Sequence, residues 1–263
     1  MQFPVYIWIG PVPIHPHVLF ETLAYLVGAR LYALLKAREG DPLAPVDRWW
    51  VVASAFFGAA VGAKVLPWFA HPGLTLAHLS DPLLLADGKS AVGGLVGALV
   101  AVEATKRLIG VTRATGDLFA IPLTVGIAVG RIGCFLTGLD DNTHGLPTSL
   151  PGAFDYGDGI PRHPAQLYEI AFLMLVLLPL ILWVRRREHR EGDLFKLFMV
   201  GYLAFRLGLE FVKPGEAFAG MNAIQWLSLA TLLWYAHYLP ERVRPWLDRW
   251  RPVRAPTEEP ARG

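Results

Sequence analysis

Eight charged residues lie in or beside otherwise apolar stretches: Glu21, Arg30, Lys64, Glu103, Arg131, Glu169, Arg206 and Glu210. A charge at mid-membrane costs about 2.5–3.5 kcal/mol on insertion scales, so each must find a partner or a wet cavity. Arg206 and Glu210 are four apart and share a helix face, where they can neutralise each other. Arginine also binds phosphate as a planar fork, so several buried cations at one depth suit a lipid phosphate. A clustered set of such groups therefore predicts an anion-binding site inside a bundle.

The elements that must position them are apolar spans. Of the 263 residues, 54% are hydrophobic and 17% charged, against about a quarter charged in a soluble domain. A span needs roughly 20 mainly apolar residues. Seven stretches meet this, at about 18–36, 49–69, 91–110, 117–137, 167–184, 194–212 and 222–240. The expected fold is all-α, a polytopic membrane protein of about seven transmembrane helices. Residues 1–17 contain four prolines and no Lys or Arg and read as an interfacial arm. The polar connection 138–166 is too long for a simple turn, and residues 241–263 read as a basic tail.

Lys and Arg fix the expected orientation. Seventeen of the 24 fall in the loops after spans one, three and five and in the C-terminal tail; only Lys89, Arg162 and Lys213 fall in the opposite loops. The positive-inside rule then puts the N-terminus outside and the C-terminus in the cytoplasm. On that topology Glu21, Lys64, Arg131, Glu169, Arg206 and Glu210 share outer-leaflet depth, whereas Arg30 and Glu103 lie deeper. There is no basic, aromatic-interleaved patch for nucleic acid. Cys134 is the single cysteine, which excludes an intrachain disulfide. No ligand spacing along the chain reads as a metal site, and no cofactor is expected.

Glycines spaced small-xxx-small, Gly58/Gly62, Gly93/Gly97 and Gly126/Gly130, predict close helix packing. Gly93 and Gly94 open a span beside Ser90, where exposed amides could hold an anion.

Several segments resemble one known family. Gly130-Arg131-Ile132-Gly133 with Phe135, Pro161 to Glu169, Gly201-Tyr202 through Phe205-Arg206 with Glu210-Phe211, Gln225 with Leu227 and Ser228, Gly88 to Gly97, Asp81-Pro82 and Ile9 to Val12 are similar to motifs of bacterial prolipoprotein diacylglyceryl transferases. The resemblance runs in order over about residues 9–235. It implies an inner-membrane enzyme that moves a diacylglyceryl group from phosphatidylglycerol to the thiol of a lipobox cysteine in a prolipoprotein signal peptide, with glycerol phosphate leaving. Arg131 and Arg206 would then hold the lipid phosphate, with Glu210 orienting Arg206. Arg162, His163, Gln166, Tyr168 and Glu169 would shape the outer rim, and Gly93, Gly94, Gly133, Glu21 and Lys64 would line the substrate site.

Three positions depart from the family pattern. Val92 stands where the pattern has His, Cys134 where it has Asn, and Leu139 where it has Glu, although Asp140 and Asp141 follow at once. A base for the thiol would therefore come from elsewhere, His163, His17 or His144. Two alternatives stay open at this point, a paralogue with another acceptor and a membrane protein that binds or transports phospholipid without turnover.

Overall fold

A computed structural model describes residues 3–70, 72–78, 81 and 88–237. Proline and glycine set the helix ends. α1 (Pro16–Glu39) starts on a proline, which suits the first helical turn, and stops at Gly40, whose φ of 79° ends the α-helix. α2 (Pro45–Ala70) also opens on proline, and the short α3 (Pro72–Ala77) follows it. α4 (Ala91–Leu108) is capped by Ser90, whose Oγ accepts from the Gly93 amide at 3.2 Å. α5 (Asp117–Thr137) stops at Gly138 and passes into a 3₁₀ turn, Gly138–Asp141.

The fifth span, Ala165–Arg185, is continuous but irregular. It consists of α6 (Ala165–Ala171), a π-helical segment Phe172–Leu177 and α7 (Leu178–Arg185). Pro179 lacks an N–H for the α ladder, and the widened turn sits just before it. α8 (Asp193–Leu209) ends in a 3₁₀ turn, Glu210–Val212, and α9 (Ala223–His237) is the last described helix.

Each of the seven expected spans overlaps a helix. Four, Pro16–Glu39, Pro45–Ala70, Asp117–Asp141 and Ala165–Arg185, are by themselves long and apolar enough to cross a bilayer. The remaining three are shorter or more charged among the described residues. Positions 238–240 of the last span, the basic tail 241–263 and Pro82 lie outside the described residues. α1 begins two residues inside the expected arm, because Pro16 serves as its first turn. The arm itself forms a hairpin, β1 (Ile7–Ile9) against β2 (Val12–Ile14).

The helices pack in pairs, α1 against α5, α2 against α4 and α8 against α9. In the α2–α4 pair Gly58 and Gly62 face Gly97 and Gly93 so closely that any added Cβ would strike the opposite backbone. That is the role of these glycines. Phe198, Met199, Tyr202 and Leu203 of α8 are fully buried against Leu173, Leu177 and Ile181 of the fifth span. Trp49, Phe56, Phe57, Phe69 and Leu175 are exposed, as a lipid-facing belt requires.

The loops after spans one, three and five meet at one end. Arg48 binds Asp41 through Nη2 at 2.6 Å and donates from Nη1 to the Thr115 carbonyl at 3.1 Å. Burial raises the Asp41 carboxyl, but the Arg48 and Lys36 bonds outweigh it and hold the group at about 2. Arg113 pairs with Glu191 and Arg185 with Glu39 at the same end. At the other end the connection 138–164 is ordered by a small hairpin, β3 (Phe154–Asp155) with β4 (Pro161–Arg162), and by Phe3, Phe135, Phe154 and Tyr156 in edge contact.

Candidate active site

α5, α6 and α8 bring their charged side chains together in a buried network. Glu169 is its centre. Its Oε2 lies 2.9 Å from Arg131 Nε, and its Oε1 accepts from Tyr202 Oη at 2.7 Å and lies 3.6 Å from Arg206 Nη1. Arg206 Nη1 also donates to Tyr202 Oη at 3.3 Å, while Nη2 pairs with Glu210. Glu210 in turn accepts from Asn222 Nδ2 at 3.0 Å and lies 3.6 Å from Lys213 Nζ. The spacing of Tyr202, Arg206 and Glu210 puts all three on one face of α8 and its terminal turn.

Counting charges decides what the network can do. Arg131, Arg206 and Lys213 supply three positive charges, and Glu169 and Glu210 two negative ones, leaving one net positive charge. A buried excess charge invites a counterion, and a phosphodiester carries one negative charge. The Nε of Arg206 is buried without a hydrogen-bond partner among the described residues, and Arg131 Nε, though near Glu169, is off line for a hydrogen bond. Lys213 stands just beyond the helical turn. Burial, with Arg206 nearby, pushes its ammonium down to about 8.

A second group adjoins the first. His17, in the first turn of α1, has Nδ1 2.9 Å from Asp141 Oδ1 and Nε2 3.5 Å from Glu21 Oε2. Cys134 Sγ accepts from Arg131 Nη1 at 3.6 Å, so Arg131 touches both groups. The atoms offered by His17, Cys134 and Asp141 all lie within 4.8 Å of one another. Asp141 Oδ2 accepts from Thr143 Oγ1 at 2.5 Å; Thr143 accepts from Gln166 Nε2 at 3.0 Å, and Gln166 accepts from Tyr156 Oη at 2.8 Å. Burial pushes the Tyr156 phenol up to about 12, so it stays a donor. α1 reaches α5 here because residue 133 is glycine: a Cβ there would lie 2.8 Å from Phe20 Cβ and 3.0 Å from the Pro16 carbonyl.

Both groups face one cavity of about 2520 Å³, lined by α1, α2, α4, α5 and α8. Its walls are mostly small apolar side chains such as Ala59, Ala63 and Ala98. Ordinary ligand pockets hold about 300–1,000 Å³, so this one is of lipid size.

The sequence-derived candidates divide accordingly. Arg131, Arg206, Glu210, Glu21 and Lys64 line the cavity. Lys64 is not in the buried network; its Nζ donates to the Gly88 carbonyl at 3.0 Å. Glu21 faces His17 and lies 3.4 Å from Lys89 Nζ. Arg30 is not among the residues that line the cavity, and Glu103 pairs with Lys106 at 2.8 Å toward the opposite end. Glu169 and Gln166 support the site from behind, both buried.

Three groups of expected site residues have partners or places of their own. The Gly93 and Gly94 amides are not free for an anion: Ser90 takes both, through Oγ at 3.2 Å and its carbonyl at 2.9 Å. Arg162, His163 and Tyr168, expected at the outer rim, are not among the residues that line the cavity. Arg162 binds Asp158 through both terminal nitrogens at 2.7 Å, and His163 Nδ1 lies 3.2 Å from Tyr168 Oη, so these three fasten the connection 138–164. Gly133 shapes the site by helix approach and does not line it. His144 also stands outside the cavity lining, and burial with Arg162 and Lys213 nearby pulls its imidazole below the ordinary value. Val92, at the family's His position, is a fully buried core residue.

Sequence reasoning passed over Lys213, Tyr202, Asn222, Thr143 and Asp141 as site residues. Tyr202 carried a signal inside the sixth-span motif, Asp141 beside the family's Glu position, and Lys213 three residues after Glu210 at the end of a span.

The chain matches known proteins over nearly its whole length. The family model of prolipoprotein diacylglyceryl transferases covers residues 4–239. A Bordetella avium protein named phosphatidylglycerol–prolipoprotein diacylglyceryl transferase is 33% identical over 245 residues, covering 88% of this chain and 90% of its own length. Proteins of the same name from Methylococcus capsulatus (32% identical, 88% and 89% covered) and Nitrosomonas europaea (33% identical, 94% and 96% covered) are similar. This chain, an all-helical protein with membrane-spanning segments and a charged, lipid-sized cavity, belongs to the prolipoprotein diacylglyceryl transferase family.

Proposed function

We propose that the protein transfers a diacylglyceryl group from phosphatidylglycerol to the cysteine thiol in the lipobox of a prolipoprotein signal peptide. The observation that carries this reading is the net positive, buried network of Arg131, Arg206 and Lys213 touching a thiol-bearing group across one cavity. The two acyl chains lie along the apolar wall, and the phosphodiester sits against Arg131 and Arg206. The acceptor thiol approaches from the side of His17, Cys134 and Asp141. The thiol loses its proton to water, sulfur attacks the glyceryl methylene, the bond from that carbon to the phosphate oxygen breaks, and glycerol phosphate leaves with the electron pair. Charge grows on the departing oxygen, so fixed guanidinium groups there lower the barrier, each donor contributing a factor of about 10²–10³. Glu169 and Glu210 keep both guanidiniums in place before substrate arrives.

The positive-inside count supports an inner-membrane protein with the cavity mouth in the outer leaflet. Glu21, Arg131, Glu169, Arg206 and Glu210 lie at the end opposite the Arg-rich loops, in keeping with this. Labelling cysteines placed at 159 and 188 in a Cys134→Ser background tests the orientation: an impermeant reagent should reach 159 alone, and preferential labelling at 188 reverses it.

The activity is tested with purified full-length protein, phosphatidylglycerol and a lipobox peptide. The peptide should gain one diacylglyceryl group with release of one glycerol phosphate. Lipid bound without product, under conditions where the Bordetella avium protein turns over, overturns the proposal and favours a phospholipid binder.

A further inference from the structure

We propose that His17, Cys134 and Asp141 form a three-ligand site for a zinc ion whose fourth position takes the acceptor thiol as thiolate. The second half of this inference rests on the transferase reading; the metal site itself does not.

The donor set carries the choice of ion. One imidazole, one thiolate and one carboxylate suit Zn²⁺, and a soft sulfur ligand disfavours Mg²⁺ and Ca²⁺. Three protein ligands with a fourth position open is the pattern of a catalytic zinc rather than a structural one. Bonds of about 2.0–2.3 Å at tetrahedral angles put ligand atoms roughly 3.3–3.8 Å apart. The 2.9 Å between His17 Nδ1 and Asp141 Oδ1, with all three atoms inside 4.8 Å, brackets that spacing.

The partners behind the ligands supply a second observation. A zinc-binding histidine usually presents its other ring nitrogen to a carboxylate. His17 directs Nδ1 at the trio and has Nε2 3.5 Å from Glu21 Oε2. Glu21 is itself held by Tyr25 Oη at 3.4 Å and Lys89 Nζ at 3.4 Å. Asp141 offers Oδ1 to the trio while Oδ2 accepts from Thr143 at 2.5 Å. All three ligands face the cavity. Arg131 Nη1, 3.6 Å from Cys134 Sγ, favours the sulfur anion.

A zinc here would do what the missing family residues leave undone. The acceptor thiol binds the metal and releases its proton to water, since a coordinated thiol is deprotonated outright. The sulfur lone pair then forms the C–S bond as the C–O bond breaks and its electron pair departs on glycerol phosphate. Nothing is oxidised or reduced, and Cys134 stays a ligand. The sequence marks these three residues singly but does not join them, because they come from the start of α1, the end of α5 and the following turn.

The test uses full-length protein in detergent, stripped with chelator and reloaded with zinc alone. One zinc per chain is expected, with X-ray absorption showing one sulfur among the ligands and two after lipobox peptide is added. Cys134→Ser and His17→Gln should each weaken zinc binding, and Glu21→Gln should weaken it by about tenfold. Retained helical circular dichroism and an unchanged elution volume show that the variants fold. Transfer should stop on chelation and return with zinc. Substoichiometric zinc in the wild type, or zinc retained in both ligand variants, overturns the site. Full transfer by zinc-free protein overturns the thiolate-binding role and leaves the transferase reading intact. Zinc bound at one per chain with no transfer supports the site and defeats the transferase reading instead.

Discussion

The Glu169 network and the His17 group share a wall of one cavity and are built in opposite ways. In the first, every carboxylate oxygen meets a cation or a hydroxyl or amide donor, and Glu169, Arg206 and Glu210 are almost wholly buried. In the second, only His17 is about a third exposed, Cys134 is buried, and the donor atoms turn inward on one another. Fully met carboxylates hold the guanidiniums in a fixed charge pattern and leave the Nε atoms of Arg131 and Arg206 without a hydrogen bond among the described residues, ready for an anion. A convergent group with one partly exposed member is suited to take up something that arrives. The difference teaches which part recognises the lipid and which part receives the acceptor.

Glu169→Ala should break the contrast most severely. It leaves Arg131 and Arg206 facing each other in a buried site, and removing one partner of such a pair costs about 3–5 kcal/mol. Denaturant unfolding in detergent should show that loss, with transfer abolished. Arg206→Lys comes next. It keeps the charge but loses the fork shared between Tyr202 and Glu210, and transfer should fall by about 10²–10³. Gly133→Ala acts on the other group. Overpacking α1 against α5 should cost about 1–3 kcal/mol and displace His17, lowering kcat more than lipid affinity.

Lys213 allows a subtler test. Its ammonium, lowered to about 8, faces Glu210, Arg206, Arg131 and Glu169. Below pH 8 it adds to the positive field; as pH rises through 8 it becomes neutral and the network loses its excess charge. Lipid affinity should therefore fall across that range, and Lys213→Met should bind weakly but without that inflection. The smallest effect is expected from Arg162→Ala. Its ion pair with Asp158 is at the surface, where such pairs contribute little, so transfer should change by no more than about twofold.

The same contrast explains what could be read from sequence. Arg131, Glu169, Arg206 and Glu210 were legible because charge inside an apolar run is costly and demands a reason. The helices were legible for the same solvent reason. Arg162, His163 and Tyr168 looked like site residues from their motif, yet Arg162 pairs with Asp158 inside the connection and His163 with Tyr168 at the start of the fifth span. The Gly93–Gly94 amides looked open, but a serine three residues earlier already caps them. His17, Cys134 and Asp141 each stand out singly, as a candidate base and as positions at or beside departures from the family pattern, but nothing along the chain joins them. Only the approach of α1 to α5 across Gly133 joins them, and that is a tertiary fact.

Lipid binding measured beside transfer, for two variants of the full-length protein, tests the division of labour most directly. Native mass spectrometry reports bound phosphatidylglycerol, and peptide mass reports transfer. Arg206→Lys should lose lipid binding and transfer together, whereas Cys134→Ser should keep the lipid and lose transfer. Equal loss of lipid in both variants, or undiminished transfer in Arg206→Lys, would contradict the account.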